Sequence, residues 1–316
     1  MKNTLCNKAC ISGIATLISL LGFLPAISSA NDISKELSVS ISQRKDNLNW
    51  SIAGNTVNVL SELKWENMSI TQLQAAGEFH LKNDWQIRAR MGYGVIDSGG
   101  NQDSDYSGNN RTQEFSRSNN KAGGDVFDVS FGFGKKLRLR DLSAGRTFYV
   151  TPLGGLSIHQ QNLTMTDGVQ TLSALPSTIP LGPFPGLASN YDAQWMGPWL
   201  GAEALIETAQ GWFMIANAEY HLIDYTASAN WNLRADFAHP VSFTHTATGE
   251  GIVLSLGASY RVGKNWKMSF KMERQNWSTG AGSDAVFLAD GTMGYAHLNA
   301  VNWDSTAYNF GIARQF

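Results

Sequence analysis

The stretch Tyr308-Asn309-Phe310-Gly311-Ile312-Ala313-Arg314-Gln315-Phe316 decides the fold. Successive side chains of an extended strand point to opposite faces, so Tyr308, Phe310 and Ile312 share one side and Asn309, Gly311 and Ala313 the other. Such alternation in a glycine-rich and aromatic-rich chain is the pattern of a transmembrane β-strand. Arg314 interrupts the apolar face, but beside the terminus its guanidinium can reach the head-group region.

The other end of the chain sets the compartment. Lys2 and Lys8 precede an apolar run over residues 11–27, broken by Pro25 and followed by Ser28-Ser29-Ala30. This is the layout of a cleaved secretory signal, with residues 1–30 removed and a mature chain of 31–316; an uncleaved signal anchor is the alternative. Both cysteines, Cys6 and Cys10, lie in the discarded part and precede the apolar run, which disfavours a lipoprotein. The mature chain then has no thiol, which excludes cysteine catalysis, thiolate metal sites and disulfides.

Beyond that segment no apolar run approaches the roughly 20 residues of a membrane helix. Mean hydropathy is only -0.20, yet aromatics make up 11% of the chain, as in a barrel where every second residue faces lipid. A soluble β-sandwich shares the alternation, but its turns recur every ~8–12 residues. A net charge of -2 provides no basic footprint for nucleic acid.

The period-two pattern recurs along the chain. Phe127, Val129, Phe131, Phe133 and Leu137 alternate with Asp128, Ser130, Gly132, Gly134 and Lys136. Trp85, Ile87, Ala89, Met91 and Tyr93 alternate with Gln86, Arg88, Arg90 and Gly92, and Trp266, Met268, Phe270 and Met272 with Lys267, Ser269, Lys271 and Glu273. A further strand reads Ile252, Leu254, Leu256, Ala258 and Tyr260 on its apolar side. Four links are short (82–84, 140–145, 208–211, 263–265) and five are long and polar (46–56, 97–123, 166–190, 229–242, 279–299). Short and long links alternating is the rhythm of outer-membrane barrels, with short turns periplasmic and long loops outside. The spacing predicts an all-β, closed antiparallel barrel of about ten strands, both termini periplasmic and five long external loops; an even total favours one bent strand over residues 57–81. The loop over 166–190 holds Pro176, Pro180, Pro183 and Pro185, which cannot donate to a ladder.

A barrel of about eight strands is filled by its own side chains, whereas about 16 strands leave a channel. The inward face should carry Glu78, Arg88, Arg90, Asp128, Glu203, Glu219, Lys267, Lys271 and Glu273. Buried charges need partners, so these form either an ion-paired plug or the lining of a narrow pore.

With neither cysteine nor a Gly-x-Ser-x-Gly elbow, chemistry would have to come from carboxylates and histidines in the outer loops. Asp103 and Asp105, two residues apart on an extended segment, share a face and can share a proton. An aspartate-rich turn or a calcium loop uses the same residues, though the EF-hand register of Gly and Glu is missing. Asp236 and His239, followed by His245, offer an imidazole with an orienting carboxylate. On a strand this pair would face opposite ways, so it meets only through a bulge or turn, and Pro240 favours an irregular loop.

Ser61-Glu62-Leu63-Lys64-Trp65 with the turn and strand that follow it, and Gly99-Gly100-Asn101 before Asp103-Ser104-Asp105-Tyr106, resemble the second strand, third strand and second loop of the omptins, ten-stranded outer-membrane endopeptidases. Gly197-Pro198-Trp199-Leu200-Gly201, the loop order and the mature length extend the likeness over most of the chain. In omptins a paired aspartate in the second loop faces an Asp-x-His pair in the fourth, and the four hold the attacking water. Asp103 and Asp105 match the first pair in spacing and place. Asp236 and His239 depart from the second, with two residues between them, and one extra residue on an extended backbone reverses a side chain. The expectation is a bacterial outer-membrane barrel acting as a non-proteolytic surface or porin-like protein. The alternative is an omptin-type endopeptidase with Asp103, Asp105, Asp236 and His239 as its catalytic residues. No metal or organic cofactor is expected; the resemblance implies lipopolysaccharide as a bound activator if the chain is a protease. The terminal Phe316 resembles the C-terminal signal of outer-membrane barrels, which implies the barrel assembly machinery as a partner beside outer-membrane lipid, lipopolysaccharide and a peptide or surface ligand.

Overall fold

A computed structural model describes residues 34–54, 56–143, 145–174 and 179–316; the expected signal segment and Pro176 lie outside them. The strands are β1 (Ser34–Ala53), β2 (Ser61–His80), β3 (Trp85–Gly108), β4 (Thr112–Lys135), β5 (Leu137–Leu142), β6 (Arg146–Ser173), β7 (Gly182–Pro183), β8 (Ser189–Thr208), β9 (Trp212–Asn230), β10 (Phe243–Val262), β11 (Trp266–Thr279), β12 (Gly282–Phe287) and β13 (Met293–Gln315). They pair antiparallel in the order β1-β2-β3-β4-β6-β8-β9-β10-β11-β13, and β13 pairs back with β1. β5 carries β4 onward along β6, and β12 carries β11 onward between β10 and β13, so the closed barrel has ten staves. Residues 61–80 form one strand, with register shifts between Glu66 and Ile70.

Outward residues make an apolar belt. On β3 it runs from Trp85 to Tyr93, a length matching the roughly 9–11 residues with which a tilted strand crosses a bilayer. Trp85 stacks on Phe133 at 4.6 Å and Trp212 meets Tyr260 at 4.9 Å, an aromatic girdle beside the short turns. No described helix is long and apolar enough to cross a membrane; the crossing surface is made of strands.

The strands continue far past this belt, which corrects the expected loops. β3 and β4 run to Gly108 and from Thr112, so most of 97–123 is ladder; likewise β1 reaches Ala53, β6 reaches Ser173, and β12 and β13 occupy most of 279–299. The link between β9 and β10, residues 231–242, stays a loop as expected. Outside the bilayer a strand has no lipid face, and the cleft side of β3 and β4 carries Asp103, Asp105, Ser116, Ser118 and Asn120, so both faces of these two strands are polar and the alternation that marks a membrane strand disappears although the backbone pairing continues.

The lumen is filled. At mid-barrel Arg44 reaches Asp46 at 2.5 Å and Asp128 at 2.8 Å; His159 Nδ1 and Gln72 Nε2 donate to Asp128 at 2.7 and 2.6 Å, and Trp303 Nε1 donates to Asp46 at 2.9 Å. Above this layer Trp277 and Trp303 stack with centroids 5.3 Å apart, with His159, His221 and Trp195 packed around them. A cavity beside Arg44 and His159 measures about 10 Å³, the space of one water. Towards the turns the expected charges pair as well: Arg88 with Glu203 at 2.6 Å, Arg90 with Glu273 at 2.9 Å, and Lys267 with Glu36 at 2.6 Å. Glu36, Arg88, Arg90 and Glu203 border a second cavity of about 230 Å³.

Candidate functional site

Above the tryptophan layer the barrel opens into a cleft of about 810 Å³ at the end opposite the short turns. Asp103 and Asp105 line it because of a change of face within β3. In the belt the even residues Gln86, Arg88 and Arg90 point inward; above the register shifts at Glu66–Ile70 of β2 and Val95–Gly100 of β3 the odd residues Leu63, Trp65, Asp103 and Asp105 do. Each bulge adds a residue to one strand and so flips the side chains beyond it. Gly99 sits in the second bulge, where a Cβ would stand 3.0 Å from the Met68 side chain and 3.1 Å from its Cα.

In register, Asp103 lies between Leu63 and Ser118, and Asp105 between Ser61 and Ser116. Burial and the neighbouring Asp105 carboxylate hold the Asp103 carboxyl well above the usual carboxylate range, against the opposing pull of Arg234 and the Trp231 side chain. Burial also raises Asp105, partly offset by Ser61, Arg234 and Ser116. Two carboxyls so placed titrate as a unit and retain a proton to higher pH than a free aspartate.

The other sequence-derived residues do not complete an omptin-like quartet. Asp236 borders the cleft, but its carboxylate is held by Arg234 through two hydrogen bonds at 2.9 and 2.7 Å, and that guanidinium keeps its carboxyl below the usual range. His239 is exposed, is not among the residues bordering the cleft, and its Nδ1 stands 2.7 Å from Asn230 Oδ1. Thus Asp103, Asp105 and Asp236 share the cleft and His239 does not.

The cleft contains a different histidine. His245 on β10 is directly opposite Asp284 on β12, with Nε2 and Oδ1 3.4 Å apart, both side chains buried and both bordering the cleft. Its Nδ1 is 2.9 Å from the Tyr191 hydroxyl, which is 2.6 Å from that of Tyr225. His245 Nδ1, the Tyr191 hydroxyl and the Tyr225 hydroxyl thus form one buried chain of hydrogen bonds, with Nε2 turned towards the Asp284 carboxylate. Trp50 packs edge-on to His245 at 4.8 Å. The sequence offered His245 only as a second imidazole after Asp236 and His239, and Asp284 comes from a separate strand, so no local spacing joins the two.

The family model described as Protochlamydia outer membrane protein (Pom) matches residues 38–316. Among solved structures, the outer membrane protease OmpT from Escherichia coli matches with a TM-score of 0.67 at 15% identity, covering 92% of this chain and 99% of that one. The translocator domain of the autotransporter NalP from Neisseria meningitidis matches at a TM-score of 0.36 and 11% identity, covering 99% and 98%. Comparison with curated protein sequences returned no match. The fold is thus an omptin-like β-barrel, and the protein resides in the bacterial outer membrane, in contact with its lipids.

Proposed function

Because the chain belongs to the Protochlamydia outer membrane protein family, we propose that it is a non-proteolytic surface barrel whose outer cleft binds a ligand while its lumen stays closed. The observation that carries this reading is the filled mid-barrel: an ion-paired layer and stacked tryptophans leave a cavity of about 10 Å³ between the outer cleft and the turn-side cavity, so the cleft is the accessible space. Its size falls within the roughly 300–1,000 Å³ of ligand pockets, and its wall joins aromatic rings to a few convergent polar groups. The absence of His239 from the cleft lining speaks against the Asp103/Asp105/Asp236/His239 quartet as a hydrolytic site.

One observation favours a second reading. His245 and Asp284 border the same cleft as Asp103 and Asp105, which is the set of groups a water-activating endopeptidase would use. Incubation of the purified barrel, with lipopolysaccharide as the activator this reading calls for, with a dibasic fluorogenic peptide separates the two. The proposal expects no turnover; turnover lost in His245→Ala installs the protease, and turnover lost in His239→Ala restores the original quartet.

A further inference from the structure

Below the aromatic girdle the barrel wall continues as a hairpin in which β5 runs on from β4 and pairs with the start of β6. The other edge of β5 has no strand partner among the described residues, because β3 begins at Trp85, opposite Lys135. The outer face of this hairpin can be followed residue by residue. On β6 the even positions point out, from Leu156 at 62% exposed down to Val150, Phe148 and Arg146, while Thr151, Leu153 and Ser157 are buried. Leu137 is opposite Val150 and so faces out as well. Beyond it Arg138 is opposite Tyr149, Leu139 is left without a partner, and Arg140 is opposite Phe148. An extra residue in one strand reverses the side chains beyond it, so this bulge turns Arg140 outward, where regular alternation would have turned it in.

The resulting surface suits neither bulk water nor acyl chains alone. Leu139 is 56% exposed and Leu137 39%, beside Phe148 and Val150, and they lie beyond the Trp85–Phe133 girdle. Set among them are Arg140 and Arg146, both exposed, and Lys135, whose ammonium lies 5.7 Å from the centre of the Trp85 ring. Arg140 has no hydrogen-bond or ion-pair partner among the described residues, and the Arg146 guanidinium bonds only to Ser143. Asp141, the carboxylate of the hairpin, is opposite Thr147 on the inner face, where Arg138 and the Thr147 hydroxyl hold it. Over residues 135–150 the outer face thus carries Lys135, Arg140 and Arg146 and no described acid. Apolar side chains interleaved with free cations just past an aromatic girdle fit the layer where acyl chains end and phosphates begin.

We propose that the outer face of the β5–β6 hairpin binds anionic phospholipid, with Arg140, Arg146 and Lys135 on the head-group phosphate and Leu137, Leu139 and Phe148 against the first acyl carbons. In the orientation expected from the short and long links, this is the periplasmic leaflet. Continuity of the face with the lipid belt selects a lipid over a soluble anion, which would satisfy the arginines and leave the leucines in water. The site lies on the outer wall and is independent of the state of the lumen.

The test is native mass spectrometry of the detergent-solubilised barrel with phosphatidylglycerol, phosphatidylcholine and inorganic phosphate. The unaltered protein should retain phosphatidylglycerol in preference to phosphatidylcholine. Arg140→Gln and Arg146→Gln should each lower that preference about five-fold, as loss of one cation near an anionic lipid surface does, and the pair together about 25-fold. Arg140→Lys with Arg146→Lys should keep most of it. Arg138→Gln, on the opposite face of the same hairpin in an exposed ion pair, and Lys264→Gln, in the turn between β10 and β11, should leave it unchanged. The proposal is overturned if the two lipids are retained alike, if Arg138→Gln costs as much as Arg140→Gln, or if the preference survives the double substitution. Displacement of phosphatidylglycerol by inorganic phosphate overturns the lipid as occupant and makes the hairpin a soluble-anion site. Unboiled gels verify that each variant is folded, and the comparison of the two lipids on the unaltered chain decides the matter even where a variant fails to fold.

Discussion

Phe131 and Ser130 are neighbours on β4 that face opposite solvents, so placing arginine at each tests the barrel with one change of position. Phe131 is 48% exposed within the apolar belt between Phe127 and Phe133, whereas Ser130 is buried and lines the charged cavity towards the turns with Glu78 and Glu203. A cation at the lipid-facing midplane of a barrel costs roughly 2–4 kcal/mol. At about 1.4 kcal/mol per factor of ten, that lowers the folding equilibrium by roughly 25- to 700-fold. Ser130→Arg places its charge in a space of about 230 Å³ that already pairs arginines with glutamates, and its cost should be that of crowding, roughly 1–3 kcal/mol. The assay is urea unfolding in lipid vesicles, read by the shift between folded and unfolded bands on unboiled gels. Phe131→Arg should unfold at clearly lower urea than Ser130→Arg. Equal losses, or the reverse order, would refute the assignment of the two faces.

Asp128→Asn removes the charged hydrogen bonds that Arg44, His159 and Gln72 make to it while Arg44 keeps Asp46, and should cost about 1.5–3 kcal/mol in the same unfolding assay. Asp103 and Asp105 have folded-state pKa values raised above the unfolded one, so their favourable contribution is full below about pH 4 and falls as pH climbs through the raised values. Asp103→Asn should therefore raise the melting temperature at pH 7 and leave it unchanged at pH 3; a loss at pH 7 would mean the carboxylate is stabilising there. In intact cells a membrane-impermeant thiol reagent should label Asp236→Cys and miss Lys264→Cys, which lies in the short turn between β10 and β11; the opposite labelling would invert the orientation.

Within the belt the sequence was legible because lipid on one side and a polar lumen on the other impose a period of two. Phe127 to Phe133 and Trp266 to Met272 needed no tertiary information, and the charges that the same period turns inward on β3, β4 and β11 are paired in the lumen. Beyond the belt β3 and β4 carry polar residues on both faces, so residues 97–123 read as a polar loop while forming the upper parts of β3 and β4. The side on which Asp103 and Asp105 fall depends on bulges at Glu66–Ile70 and Val95–Gly100, whose visible trace was Ser98-Gly99-Gly100. Their coupling followed from spacing alone, because two residues along a strand restore the same face wherever the bulge lies. The buried His245–Asp284 pair was out of reach, since its register is set by β12 continuing β11 beside β10.

Single-channel recording from the purified barrel in planar bilayers tests the central claim most directly. With the Arg44–Asp128–His159 layer and the Trp277–Trp303 stack in place, the account predicts a silent membrane at both polarities, and steps only after the plug is removed by Arg44→Ala with Trp303→Ala. Regular ohmic steps from the unaltered protein would contradict it and make the charged lumen a conducting pore.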